Sequence, residues 1–275
     1  MGGDIKMIGQ NLKGVPQTLL IPLWARAEES KRKDAIIKDD LALKMISQID
    51  FDFSKFEKEW ATQLYVAIRT EILDKAARRF IEAYPNAVVI NLGCGLDTRF
   101  FRVDNGKIAW YDLDLPEPIS IKKKFFEESD RYRMIARSVL DYSWIGDIEI
   151  NDRPVLIIAE GLLMYFKEEE VKEIISNLVK AFPKAEMLFE MVPPALVKAS
   201  GQNTQKERFG MAAVFQWGIA SGKEMENYSP NIKFIEEWNY LNYHKSRWNL
   251  VRLFALIPAY KNNFCNRIVH VAFNP

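Results

Sequence analysis

The stretch Ala87-Val-Val-Ile-Asn-Leu-Gly-Cys-Gly-Leu-Asp-Thr-Arg99 constrains the fold more than any other part of the chain. Its first half is an apolar, β-branched run too short for an ordinary helix. Pro85-Asn86 and the glycines bound it, so it reads as a buried strand. Gly93 and Gly95 permit backbone angles that other residues resist, and they remove side chains that would hold a ligand off the main chain. Residues 96–103 then open a helix whose free N–H groups face the same space. Strand, Gly-x-Gly turn and helix together make the nucleotide-binding corner of an open α/β sheet. The third glycine of the dinucleotide fingerprint is missing, and Thr98 holds its place.

Nothing before residue 86 reads as sheet. Pro16 and Pro22 start the first helix near Pro22, and residues 41–49 and 56–83 carry apolar side chains three and four apart. Residues 1–85 are therefore expected to form a helical extension to an α/β domain spanning 86–275. Within that domain, apolar strands are predicted at 107–112, 132–136, 154–159 and 185–191. Helices are predicted from about 114 to 128 and at 167–182, the second with acidic residues in its first turn. Strands that are apolar throughout predict a mostly parallel sheet with helices on both faces. Residues 192–230 break this rhythm. Pro193-Pro194 stops the strand, and helix-compatible sequence with Phe209, Met211, Phe215 and Trp217 runs to Ile219, as a lid over the strand ends or as a packing layer. A strand at 232–243, a helix at 247–256 ended by Pro258, and a last strand at 267–273 complete the reading.

The 275 residues carry 38 basic and 37 acidic side chains, so the net charge of +1 implies no bulk attraction to nucleic acid or to a membrane. Two cysteines without CxxC spacing build neither a disulfide framework nor a zinc site, and no metal is expected. No run reaches the roughly 18 apolar residues of a membrane span. Together these features predict a cytoplasmic protein. His244 lacks the context of a catalytic base, and His270 alternates with Val269 and Val271 on a strand.

Acidic residues fall near successive strand ends: Asp112 and Asp114, Asp141, and Glu160. A parallel sheet aligns those ends, so they should ring the glycine turn. Asp112 and Asp114 lie 17 and 19 residues beyond Gly95, where a carboxylate accepts the hydroxyls of a ribose. That fits NAD as well as any adenosine cofactor. Phosphate discriminates between them, because Asp97 would repel a pyrophosphate, whereas S-adenosylmethionine has no phosphate and its ammonium and sulfonium suit an acidic rim.

The motifs at 91–99, Phe101-Arg102, Tyr111-Asp-Leu-Asp-Leu-Pro116 and Ala159-Glu-Gly-Leu-Leu-Met-Tyr165 occur in an order that resembles the leucine carboxyl methyltransferase family. The closer likeness is to its bacterial polyketide, tetracenomycin-type O-methyltransferase branch, and it runs from about residue 18 to 189. The resemblance implies a class I methyltransferase α/β fold, Rossmann-like, with S-adenosylmethionine as donor and a carboxylate oxygen of a small molecule or peptide as acceptor. It further implies that the Gly93-Cys94-Gly95 turn lies against the methionine part of the donor. Asp114, or failing it Asp112, takes the ribose. Leu140, Asp141 and Tyr142 hold the adenine, Arg69 pairs with the donor carboxylate, Glu160 stands near its amino group, and Tyr165 lines the reacting end. Arg26 and Lys31 are weaker candidates near the site entrance. Each has a plainer alternative: a surface ion pair for Arg69, a helix cap for Glu160, core packing for Tyr165, an apolar filler for Cys94. An NAD-dependent oxidoreductase and an inactive binding module of the same fold are the alternative functions.

Overall fold

A computed structural model describes residues 18–200, 214–254 and 256–274. Seven strands form one sheet in the order β3-β2-β1-β4-β5-β7-β6: β1 Val88–Leu92, β2 Ala109–Asp114, β3 Tyr132–Ala136, β4 Val155–Ala159, β5 Glu186–Met191, β6 Ile232–Asn239 and β7 Arg267–Phe273. The first five run parallel, and β7 pairs antiparallel with both β5 and β6.

All five residues of β1 and of β4 are buried, and successive side chains serve opposite layers. Val89, Leu156 and Ile158 join a core with α1 (Leu20–Ser30), α2 (Asp40–Ile46) and α3 (Trp60–Ala83). Val88, Ile90, Val155 and Ile157 join the other layer, with Val171, Ile174, Ile175 and Leu178 of α6 (Glu168–Ala181). Those four recur at helical spacing, and the Glu170 carboxylate accepts a hydrogen bond from the Lys167 amide at the helix start (2.8 Å). Between them lie α4 (Arg99–Val103) and α5 (Pro116–Lys122).

Several boundaries differ from the sequence expectation. The second strand lies two residues later than 107–112, because the buried Asp112 is tolerated inside it by Lys122, 2.6 Å away, and by hydrogen bonds from Asn91, Trp110 and Tyr132. The helix after it ends at Lys122, not near 128. Beyond α7 (Pro194–Ser200), Phe209 and Met211 lie outside the described residues. Residues 214–219 are not helical: the Gln216 amide donates to Met164 O and the Ile219 amide to Val192 O, and a Cβ on Gly218 would come within 2.3 Å of that same Val192 oxygen. The helix expected over 247–256 is interrupted at Asn249, whose φ is +48°, leaving α8 (Val251–Phe254), and Pro258 opens α9 (Pro258–Phe264) instead of closing a helix.

Candidate active site

The carboxyl ends of β1, β2, β4 and β5 border a cavity of about 680 Å³. Its floor is the glycine turn. Gly93 (φ +61°) and Gly95 (φ +47°) both need the left-handed region, and a Cβ on Gly93 would lie 2.6 Å from Leu162 Cδ1. Gly161, at the end of β4, has φ +62° and sits against Arg69. Gly93→Ala is expected to lower affinity for S-adenosylhomocysteine about tenfold or more and to cost about 1–2 kcal/mol of stability through left-handed strain. Gly106→Ala is the control: its φ is +78° but nothing stands within 4 Å of the added Cβ, so calorimetry should find the strain without the loss of binding.

A chain of buried charges stands beside the turn. Glu160 bridges two guanidinium groups, Arg69 Nη2 at 2.7 Å and Arg99 Nη2 at 2.6 Å. Arg99 also binds Asp97 (2.6 Å) and Asp74 (2.7 Å), and Asp74 holds Arg102 (2.6 Å). Asp39 joins Arg102 (3.1 Å) to Arg26 (2.9 Å). At the other end, Arg69 Nη1 donates to Glu190 Oε2 (2.7 Å), whose second oxygen accepts from Tyr240 and Asn266. Four arginines thus meet five carboxylates. Burial acts to raise the Asp97 and Glu160 carboxyls, but their arginine partners outweigh it and hold both below the usual carboxylate range.

The structure brings Arg69, Gly93, Cys94, Gly95, Asp114, Glu160 and Tyr165 to the cavity wall. Asp114 accepts the Gly95 amide (2.7 Å) and the Leu115 amide (2.7 Å), and burial pushes its carboxyl above the ordinary range. Tyr165 stacks obliquely on Phe215 with centroids 5.6 Å apart, and burial raises its phenol. The thiol of Cys94 is likewise raised by burial.

Other expectations are corrected. Asp112 does not line the cavity, being enclosed by Lys122, Trp110, Tyr132 and Asn91. Leu140, Asp141 and Tyr142 fall beyond the wall, which Arg137, Ser138 and Val139 form, while Asp141 caps a short turn through the Ser143 amide. Arg26 lines the cavity but is committed to Asp39 and the Leu96 carbonyl. Lys31 pairs with Glu28 in a shallow pocket on α1 and does not reach the cavity. Asp97 is neutralised by Arg99 and Arg102, so it does not repel a pyrophosphate as the sequence argued. What disfavours an anionic donor is that the cations on the wall are each held by an acid: Arg26 by Asp39, Arg69 by Glu160 and Glu190, Arg137 by Asp147.

Glu190 and Asn266 escaped the sequence reading. Glu190 obeys the same rule as the other acids, since it lies at the carboxyl end of a parallel strand. Asn266 carries no local signal. It arrives because the antiparallel pairing Met191↔Arg267 sets the start of β7 beside the end of β5.

The chain matches the leucine carboxyl methyltransferase family over residues 20–179. It is 34% identical over 232 residues to the tetracenomycin polyketide synthesis O-methyltransferase TcmP of Streptomyces glaucescens, covering 84% of this chain and 85% of the relative. It is 27% identical over 246 residues to the S-adenosyl-L-methionine-dependent methyltransferase dpfgK of Gibberella zeae, covering 82% of each. Among solved structures, a DUF574 family protein from Streptomyces avermitilis superposes with a TM-score of 0.58 at 13% identity, over 91% of this chain and 97% of that one. A SAM-dependent methyltransferase from Anabaena variabilis does so at 0.51 and 15%, over 82% and 96%. These two share the fold, the class I methyltransferase sheet. The family match takes in α3, the glycine turn and the ends of β2 and β4, and with it the chain belongs to the leucine carboxyl methyltransferase family of S-adenosylmethionine-dependent methyltransferases.

Proposed function

We propose that this methyltransferase acts on oxygen, and that its acceptor is a carboxylate of an apolar, polyketide-like small molecule or of a peptide. One observation carries this reading: among the described residues the cavity wall holds no free base. The chain has two histidines, and both are elsewhere, His244 against Glu71 and His270 against Glu186. The acids on the wall are held in ion pairs or, for Asp114, by backbone amides. A phenol or alcohol needs a group to take its proton, whereas a carboxylate arrives ionised at neutral pH.

The residues fit the donor. Arg69 Nε is buried without a partner on the cavity wall, an orphan that a carboxylate would satisfy. The turn at 93–95 would take the methionine part, Asp114 the ribose hydroxyls, and Ser138 and Val139 the adenine, with Glu160 beside the amino group. An excess of one carboxylate over the arginines suits a donor with two cationic groups and one anionic group. When bound, S-adenosylmethionine supplies an electrophilic methyl group on a sulfonium that is its own leaving group. Orientation of the acceptor falls to Tyr165, Phe215 and the apolar wall of α1 and α3, an effect worth roughly 7–11 kcal/mol where alignment is good. The division into a helical extension at 1–85 and a core at 86–275 belongs to this proposal. So does a lid over the cavity, expected at 192–230 and supported among the described residues at 214–219: Phe215 lines the cavity, and Gln216 Nε2 donates to Tyr165 O at 2.6 Å.

Labelled donor offered with aromatic polyketide-like acids, peptides with a free carboxyl terminus, and matched phenols tests the acceptor. Base-labile methyl esters on carboxylic acids alone are expected. Transfer to phenols and to no acid would overturn the reading.

A further inference from the structure

Leu250, Leu253, Phe254, Leu256, Ile257 and Phe264 are between 47% and 75% exposed, and the other exposed large apolar side chains are scattered over the described residues. Leu253, Phe254 and Phe264 project from α8 and α9, two helices with no buried residue of their own, and Leu250, Leu256 and Ile257 from the turns that precede and join them. Val251 and Tyr260 hold the segment to the core while the rest faces outward. Isolated apolar side chains on a surface need no explanation, but a contiguous set does.

The chain segment that carries this patch has side-chain charge of one sign. No Asp or Glu occurs after Glu237, whereas residues 238–275 contain five Lys or Arg. Arg247 and Arg267 are neutralised by Glu29 and Glu237. Lys245 and Arg252 are exposed and make no ion pair with a described residue, and α7, which packs against α9, adds exposed Lys198. The flanks reach the cavity on both sides: Trp248 packs edge-on against Tyr65, at 5.4 Å between centroids, and Tyr65 and Asn266 are both part of its wall.

We propose that this face docks on an anionic lipid surface. Leu250 and Leu256 are 74% and 75% exposed, protrusions and not the walls of a groove, and a fluid bilayer accepts such protrusions without a matching shape. Unpaired cations beside them supply attraction to acidic headgroups, a local effect that a whole-chain charge of +1 does not report.

The test is co-sedimentation of the full chain with phosphatidylcholine vesicles, alone and mixed with phosphatidylglycerol. Binding to the mixed vesicles is expected, weaker on phosphatidylcholine alone and weakened by added salt. Leu253→Ser with Leu256→Ser should reduce it about a hundredfold, and Lys245→Gln with Arg252→Gln roughly tenfold. Unaltered affinity for S-adenosylhomocysteine would show that these variants fold. No binding of the natural chain to mixed vesicles, or equal binding by the leucine variant, overturns the proposal. A dimer seen by sedimentation equilibrium and abolished by the leucine pair, without vesicle binding, would assign the patch to a second copy instead.

Discussion

Arg99→Met is expected to lower the unfolding free energy by about 3–5 kcal/mol, because it takes a shared cation away from three largely buried carboxylates. The Arg99 side chain is fully buried and binds Asp74, Asp97 and Glu160 at once, so one substitution leaves three acids short of a partner. For a chain of 275 residues this corresponds to a fall in melting temperature of roughly 10 °C. The sign of the pH dependence follows from the carboxyls. In the natural chain Asp97 and Glu160 lie below the usual range, so their contribution to stability is present above that range and is lost as pH falls through their lowered values. Without Arg99 burial is opposed less, the two carboxyls rise, and the folded variant takes up protons more readily than the natural fold. The gap between variant and natural protein should therefore be widest near neutrality and close on acidification. Thermal melts across pH check this, and a gap independent of pH would refute the charge argument.

Asp114→Ala is expected to raise the dissociation constant for S-adenosylhomocysteine about a hundredfold, the effect of losing two hydrogen bonds to an ionised acceptor at about 1.5–3 kcal/mol each, partly offset by water. Burial lifts the Asp114 carboxyl, so in the natural chain donor affinity should fall as pH drops through that raised value. The alanine variant should lack this dependence. Asp112→Asn supplies the contrast: it leaves Lys122 buried without its counter-ion and should cost stability while the folded protein keeps its donor affinity. Calorimetry on both variants decides, and equal affinity of the natural and Asp114→Ala chains would remove Asp114 from the ribose site.

The legible part of this protein was the part written in local periodicity. Strands β1, β3, β4 and β5 declare themselves as short apolar runs, β7 by alternation, and helices α3 and α6 because apolar side chains recur three to four residues apart. The glycine turn declares itself because φ values near +50° are available to few other residues. The segments that misread, 214–219 and 247–258, take their conformation from distant partners: Met164 and Val192 for the first, and for the second the aromatic pocket in which Trp248 meets Tyr65.

For the site, the linear order of residues already gathers acids at one sheet edge around the turn, since parallel strands put all their carboxyl ends together. What each acid does there depends on which side chains the fold brings against it. Asp112 and Asp114 lie on the same face of one strand, two residues apart. The first is covered by Lys122 and Tyr132, and the second, at the strand end, reaches the cavity. Arg69 finds Glu190 across 121 residues, and Arg99 finds Glu160 across 61. Ion pairing depends on distance in space and on exclusion of water, and neither quantity has a period that a linear sequence can display.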